Sequence, residues 1–450
     1  MIDCVAGAMG AAPTLPGAIG IVGGGQLAWM LAEAAQRRGV ELVVQTPNPH
    51  DPAVALASRV VQADVRDAAA TRLLAQQCLA ISFENEWLDL EALAPLAADG
   101  VCFLPSLEAL RPLVCKRSQR DLLQRLHLPC PRWFGLDQLR STPGGEPPAP
   151  AGDGTSPSDP TPPNPASSAA STSSPSTSPG LPEGFAYPLM AKLASGGYDG
   201  RGTAVLRSEA DLQALLQQVN PADWIVEEFV AFEQELALVA ARDQAGEVVC
   251  LPLVQTHQHQ QVCDWVLAPV DASHALQQRA RNVAASLLTA LDYVGVLSIE
   301  FFYGPQGLLV NELAPRTHNS GHYSIEACNL SQFDLQLLTV GGARTEEPQL
   351  QVPGALMVNL LGFDDRSPDH PDADYPQQRA ALQALPQLHI HWYGKQGSSV
   401  GRKLGHATVL LEQQDPHARR LEAMQRLEEI RRIWPLPPAA AGASESVHGA

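Results

Sequence analysis

The chain has 450 residues, 45% apolar and 5% aromatic, with 35 glycines and 38 prolines. That length accommodates two or three domains, and the apolar share excludes a wholly disordered, collagenous or coiled-coil chain. Thirty Lys and Arg against 48 Asp and Glu leave a net charge of −18, which excludes non-specific attraction to nucleic acid or anionic lipid, and no apolar run reaches the roughly 18 residues of a membrane-spanning helix.

The first 17 residues read as a disordered extension without a basic or sustained apolar leader. From Ala18, strand and helix patterns alternate. Ala18 to Gly23 is a short apolar strand, and Gln26 to Arg38 places Leu27, Met30, Leu31 and Ala34 on one helical face. Strands follow at Glu41 to Gln45, Ala80 to Phe83 and Val101 to Leu104, which together predict a parallel α/β sheet with crossover helices. Ser118 to Leu126 reads as a helix leading out of it. Between Ser141 and Gly180, 11 of 40 residues are Pro and 10 are Ser, with no aromatic or large aliphatic residue. Such a segment cannot bury enough apolar surface to offset its ordering entropy and reads as a disordered insertion.

Short strands dominate thereafter: Leu189 to Leu193, Gly202 to Leu206, Trp224 to Glu228, Glu233 to Ala241 and Val248 to Leu253. Ser273 to Leu291 is a helix, and Val294 to Tyr303 pairs with Gly307 to Glu312 across a Gly-Pro-Gln-Gly turn. Leu356 to Leu361, Leu388 to Tyr393 and Ala407 to Leu411 predict a small β-rich unit closed by a helix over Pro416 to Ile433. The tail after residue 437 reads as disordered. The eight cysteines are scattered without a CxxC pair, which suits reduced thiols in a cytoplasmic protein.

Five motifs carry chemistry. Gly23-Gly24-Gly25-Gln26 follows a strand and opens a helix, where backbone amides can approach a phosphate. A dinucleotide fingerprint is disfavoured there, because Gln45 stands where a ribose-binding carboxylate is expected. Lys192 precedes a Gly-rich hairpin, Gly196-Gly197-Tyr198-Asp199-Gly200-Arg201-Gly202, whose amides can cover a triphosphate, although such hairpins are often plain turns. Glu227-Glu228-Phe229-Val230 with Glu235 suits an adenosine, or a solvated strand edge. Glu300 and Asn311-Glu312 face each other across a hairpin, and like charges there repel unless a cation lies between them. Arg316 to His322 (RTHNSGH) and the loops around Lys395 and Arg402 gather cations in an acidic chain, which suits small anions; a zinc reading of His318 and His322 lacks further ligands.

These residues together (Lys192 with GGYDGRG, Glu227 to Val230, Glu300, NELAPR with HNSGH, and HWYGK…GRKLGH) resemble the 5-(carboxyamino)imidazole ribonucleotide synthase family, from about Ala18 to Ile433 outside the insertion. The resemblance implies a pre-ATP-grasp α/β domain over 18–115, an ATP-grasp domain of two α+β lobes over 116–345 with a nucleotide-covering lobe at 185–235, and a C-terminal β-rich domain over 350–435. It implies an ADP-forming carbon-nitrogen ligase of de novo purine biosynthesis that joins bicarbonate to 5-aminoimidazole ribonucleotide through carboxyphosphate. ATP would be held by Lys116, Lys192, Gly196, Gly197, Tyr198, Asp199, Gly200, Arg201, Gly202, Glu227, Glu228, Phe229, Val230, Glu235, Asn311 and Glu312, with Mg²⁺ or Mn²⁺ on Glu300 and Glu312. Tyr198, Arg201, Arg316, His318, Asn319 and Lys395 would be catalytic; Gln26, Glu84 or Glu86, Lys395 and Arg402 would contact the ribonucleotide.

The resemblance also implies a homodimer and a mutase partner that consumes the unstable product. The chain departs from the family pattern at Gln396 to Gly401, at Gln255 to Gln258 and in Ser82-Phe83-Glu84-Asn85-Glu86-Trp87. Alternative readings are a formate-dependent glycinamide ribonucleotide transformylase of the same superfamily and a non-catalytic nucleotide-binding regulator. The retained acid pair at 300 and 312 disfavours the latter.

Overall fold

A computed structural model describes residues 17–139, 180–197, 202–370 and 372–438. Most of the Pro/Ser insertion, 141–179, lies outside these, as do Tyr198, Asp199, Gly200 and Arg201. The chain divides into two compact units, a larger one of Met1–Pro131, Ala194–Gly202 and Val230–Ala450, and a smaller one of Arg132–Leu193 and Thr203–Phe229.

The larger unit begins with β1 (Ile19–Val22), α1 (Gln26–Arg38), β2 (Leu42–Thr46), β3 (Arg59–Gln62), α2 (Ala68–Ala75), β4 (Ala80–Phe83), α3 (Leu90–Ala98), a short α4 (Leu107–Leu110) and α5 (Lys116–Arg125). Its strands form a parallel sheet in the order β3-β2-β1-β4, as the alternation predicts. The apolar face read for α1 is buried, and it packs on Phe333, Leu337 and Val340. Val101 to Leu104 does not form a strand: Phe103 alone bridges Ile81. Pro105 follows directly and offers no amide to extend the ladder. The helix read from Ser118 begins two residues earlier, at Lys116.

In the smaller unit β5 (Trp133–Gly135), β6 (Leu189–Leu193), β7 (Thr203–Leu206) and β8 (Trp224–Glu228) form an antiparallel sheet in the order β5-β8-β6-β7. Helix α6 (Glu209–Gln218) covers it with Leu212, over a core of Phe134, Leu189, Ala191, Leu206 and Val226.

The rest of the larger unit is a nine-stranded sheet built from β9 (Gln234–Arg242), β10 (Val248–Cys250), β11 (Val254–His259), β12 (Val262–Ala268), β13 (Gly295–Gly304), β14 (Gly307–Ala314), β15 (Gly354–Leu361), β16 (Leu388–Trp392) and β17 (Lys403–Leu411), in the order β14-β13-β9-β11-β12-β15-β17-β16 with β10 on β9. Five helices accompany it: α7 (His274–Ala290), α8 (Ser324–Ala327), α9 (Gln332–Val340), α10 (Pro376–Gln383) and α11 (Pro416–Ile433). The hairpin of β11 and β12 is not evident in the sequence; it covers the departing segment Gln255 to Gln258, where His257 stacks on Trp265. The C-terminal strands are not a detached sheet, because β15 pairs with β12 from Trp265↔Val358 to Ala268↔Ala355. A satellite core closes under α11, where Trp434 is fully buried against Phe363, Tyr375 and Trp392 and donates its indole N–H to the Leu361 carbonyl at 2.8 Å. Trp434→Ala should therefore lower stability by about 3 to 5 kcal/mol in denaturant unfolding; a loss below about 1 kcal/mol would show that this core is not a keystone.

Candidate active site

The glycine turn before α1 is filled by the protein itself. Glu84, from the end of β4, accepts the Gly25 amide at 2.7 Å, the Leu27 amide at 3.0 Å and the Ala28 amide at 3.4 Å. Burial pushes its pKa up, and those three amides oppose the rise. A Cβ on Gly23 or Gly25 would lie 2.5 or 2.6 Å from the Glu84 carboxylate, and one on Gly24 would lie 2.6 Å from Thr46. The glycines thus admit a carboxylate of the chain, and the amides of this turn are taken up by Glu84, one of the two glutamates expected at the ribonucleotide. Gln45 is fully buried and bonded to the Asp64 carbonyl and Thr71 hydroxyl, a structural role that leaves no dinucleotide ribose site.

The hairpin of β13 and β14 sets Glu300 directly opposite Glu312, and the register then shifts so that Phe301 faces Val310. Asn311 is the extra residue of this bulge. Along the strand Val310 and Leu313 are buried whereas Asn311 and Glu312 are both half-buried, so the bulge brings two neighbouring polar residues out of the core together. Lys116, the first residue of α5, reaches Glu312 at 2.5 Å, and its amide donates to the Ala194 carbonyl at 2.7 Å. Arg120 donates to the Asn311 carbonyl at 2.5 Å, and Gln119 brackets Leu313 from both backbone atoms. Two facing carboxylates beside an amide form a hard-oxygen donor set that fits a divalent cation.

Downstream of the hairpin, Arg316 makes a two-pronged pair with Glu86 at 2.6 and 3.3 Å. Burial opposes the guanidinium charge, but Glu86 outweighs it and raises the Arg316 pKa. Glu86, the other glutamate expected at the ribonucleotide, is therefore a partner of Arg316. His318 is neutral: burial, then Arg316 and Lys403, push its pKa down to about 3. The Ser320 amide donates to His318 Nδ1 at 3.3 Å, which places the ring proton on Nε2, 3.4 Å from Glu300. Asn319 and Asn359 exchange amide hydrogen bonds at 2.9 and 2.7 Å, and Asn359 also donates to the Cys263 carbonyl. Asn319 thus anchors its own turn. Asn359 escaped the sequence reading, although a lone amide within the apolar run of β15 is a usable signal.

Lys395 and Gln26, far apart in sequence and both expected at the ribonucleotide, meet at 2.6 Å; the Lys395 ammonium also donates to the Lys403 carbonyl at 2.8 Å and lies 5.3 Å from the Tyr393 ring centre. Arg402 is exposed, and one of its nitrogens donates to the Gln396 and Gly397 carbonyls, so it braces the departing loop. In the smaller unit Lys192 pairs with the buried Glu227 at 2.7 Å, and Glu228 takes both the amide and the guanidinium of Arg132. Phe229 stays 37% exposed. Val230 and Glu235 belong to the larger unit. Gly196 has φ +81° and Gly202 φ +79°, the left-handed backbone a hairpin of this kind requires.

His322 and His406 lie side by side, with ring centres 4.8 Å apart and no exposure. Burial and neighbouring histidines hold both pKa values well below the usual imidazole range. The unfolded chain takes up protons here below about pH 6.5 and the folded chain does not, so stability is complete above that pH and declines as pH falls. His406→Gln, which cannot titrate, should make the decline shallower by up to about 1.4 kcal/mol per pH unit in unfolding experiments; an unaltered slope would contradict the neutral assignment.

Residues 17–112 match the model of the ribonucleotide synthetase preATP-grasp domain, 165–333 that of the ATP-grasp domain, and 355–420 that of the phosphoribosylaminoimidazole carboxylase C-terminal domain. An N5-carboxyaminoimidazole ribonucleotide synthase of Synechococcus elongatus is 45% identical over 422 residues, covering 94% of this chain and 96% of that protein. Its counterpart in Synechocystis is 42% identical over 92% of this chain and 97% of that protein. The carboxyaminoimidazole ribonucleotide synthase of Aspergillus clavatus complexed with ATP superposes with a TM-score of 0.76 at 27% identity, over 93% of this chain and 99% of that one. The same enzyme complexed with ADP and 5-aminoimidazole ribonucleotide gives 0.76 at 26%, over 93% and 100%. The three domains in this order, matched over nearly the whole length, establish that the chain belongs to the N5-carboxyaminoimidazole ribonucleotide synthase family.

Proposed function

We propose that this chain is an ADP-forming carbon-nitrogen ligase that carboxylates the exocyclic amine of 5-aminoimidazole ribonucleotide with bicarbonate at the expense of ATP, in purine biosynthesis. The observation that carries the reading is the bulged hairpin, whose Glu300, Asn311 and Glu312 stand together beside Lys116 in a chain of this family. A bicarbonate oxygen attacks the γ-phosphorus, ADP departs, and the amine then attacks the carboxyl carbon of carboxyphosphate, releasing phosphate and losing a proton. Phosphoryl transfer of this kind needs mostly positioning and charge stabilisation.

The roles follow the residues. Glu300, Asn311 and Glu312 would hold Mg²⁺, or Mn²⁺, which when bound offsets the negative charge of the ATP phosphates. Lys192, Lys116 and the glycines of the 196–202 hairpin are assigned to the phosphates, and Glu227 to Val230 with Glu235 to the adenosine. Lys192 and Lys116 already carry carboxylate partners, so they arrive at the phosphates oriented. Arg316, kept in place by Glu86, and the Nε2–H of neutral His318 are assigned to bicarbonate and carboxyphosphate; Tyr198 and Arg201 share that assignment from the sequence. Asn319 shapes the turn that carries His318. Lys395 with Gln26 takes the ribonucleotide phosphate, and Arg402 stiffens the loop beside it.

A homodimer and a mutase that consumes the labile product belong to the same reading, as does a cytoplasmic location, which the unbridged thiols of the seven described cysteines support. No described helix is long and apolar enough to cross a membrane.

Bicarbonate-dependent ADP formation should require 5-aminoimidazole ribonucleotide, and formate with glycinamide ribonucleotide should not substitute. Absence of stimulation by the aminoimidazole nucleotide would overturn the assignment. Glu312→Gln should lower kcat by at least about 100-fold with the thermal midpoint preserved; full turnover in this variant would remove the metal-binding role.

A further inference from the structure

His391, in β16, lies outside every role assigned so far. Its Nε2 meets Glu326 of α8 at 2.6 Å, and its Nδ1 faces Glu33 of α1 at 3.8 Å. An imidazole with a carboxylate at each nitrogen is in its element as an imidazolium, since only that form donates from both. Burial works against the charge, but Glu326 and Glu33 outweigh it and bring the pKa up to about 9. The other titratable groups close to it, His406 and His322, are neutral. Three segments distant in the chain therefore converge on one half-buried cation.

From that cation a continuous path leads to Lys395. The His391 ring stacks on His406, with centres 4.6 Å apart and planes 12° from parallel. His406 Nδ1 and the Tyr393 hydroxyl share a hydrogen bond at 2.9 Å. Tyr393 is 1% exposed and lies beneath the Lys395 ammonium. Gly394, at φ +67°, makes the turn that folds Lys395 back over that ring.

Helix α1 is gripped along the same line. Gln26, Trp29 and Glu33 are spaced i, i+3, i+7 on one helical face, about 10 Å from end to end. Gln26 accepts from Lys395, Trp29 sets its ring edge-on to both His391 and Tyr393 at 6.3 and 6.2 Å, and Glu33 faces His391.

We propose that His391 is a positioning residue for the carboxylation reaction, a charge clamp between Glu33 and Glu326 that fixes α1 against β16 and so holds the Lys395 ammonium ready for the phosphate of the ribonucleotide. The proposal rests on the reading of Lys395 given above. Without the imidazolium, Glu326 and Glu33 repel where they were bridged, and the helix loses one of its grips on the strand.

The test separates KM from kcat. His391→Gln should raise the ribonucleotide KM about tenfold, with the ATP KM and kcat at saturation within about twofold. Glu33→Gln, at a partly exposed position that leaves the His391–Glu326 pair intact, should give the same pattern at about threefold, and keeps the proposal open to refutation if His391→Gln folds poorly. Adding His391→Gln to Lys395→Met should raise the ribonucleotide KM no further, because the clamp acts through the lysine. Equal effects on both KM values and kcat, or additivity with Lys395→Met, would reduce His391 to a packing residue. A rise with Lys395→Met but none with His391→Gln or Glu33→Gln would overturn the clamp alone. No rise with Lys395→Met would overturn the phosphate assignment, and the clamp with it.

Discussion

The carboxylate of Glu84 inside the first turn of α1 is the contact on which the rest of the larger unit depends. A helix N-terminus leaves several amides unsatisfied and carries partial positive charge, and a buried anion with three amide donors answers both demands at once. The three glycines are there because the carboxylate and Thr46 leave no room for a Cβ. Fixed at its start, α1 packs one face on α9 and lays another along Tyr393 and His391.

A second regularity concerns the cations. In a chain of net charge −18, three of the positive side chains assigned to the proposed chemistry are paired with carboxylates: Arg316 has Glu86, Lys116 has Glu312, Lys192 has Glu227. Such pairing holds long side chains in one rotamer before substrate arrives, which lowers the entropy lost on binding. It also makes binding an exchange, in which an incoming phosphate or bicarbonate shares or replaces an internal anion.

Legibility in the sequence followed the range of the interactions. Elements with explicit local punctuation could be read closely. Helix α11 begins at Pro416 after its Asp415 cap, and the β13 and β14 hairpin turns on Gly-Pro-Gln-Gly. The β11 and β12 hairpin could not be read, because its turn uses Gln260 and Gln261 at φ 51° and 65°, where a sequence pattern leads one to expect Asn or Gly. Motif residues could be read as a set, and two of them, Gln26 and Lys395, meet in the structure. Their partners were not. Nothing local in Ser82 to Trp87 says that one glutamate caps a helix and the other takes an arginine 230 positions away. Burial and pairing across such separations are decided by the fold and leave no periodic trace.

The joining of β15 to β12 carries one last implication. The C-terminal region is recognisable as a domain by its sequence, yet its backbone is stitched into the sheet that bears the acidic hairpin. Deleting it would strip the amides and carbonyls of β12 of their partners and leave a long apolar edge open to other chains. It is a domain in its ancestry but not in its mechanics, and grafting or truncating it as a cassette would cut through a continuous ladder of hydrogen bonds.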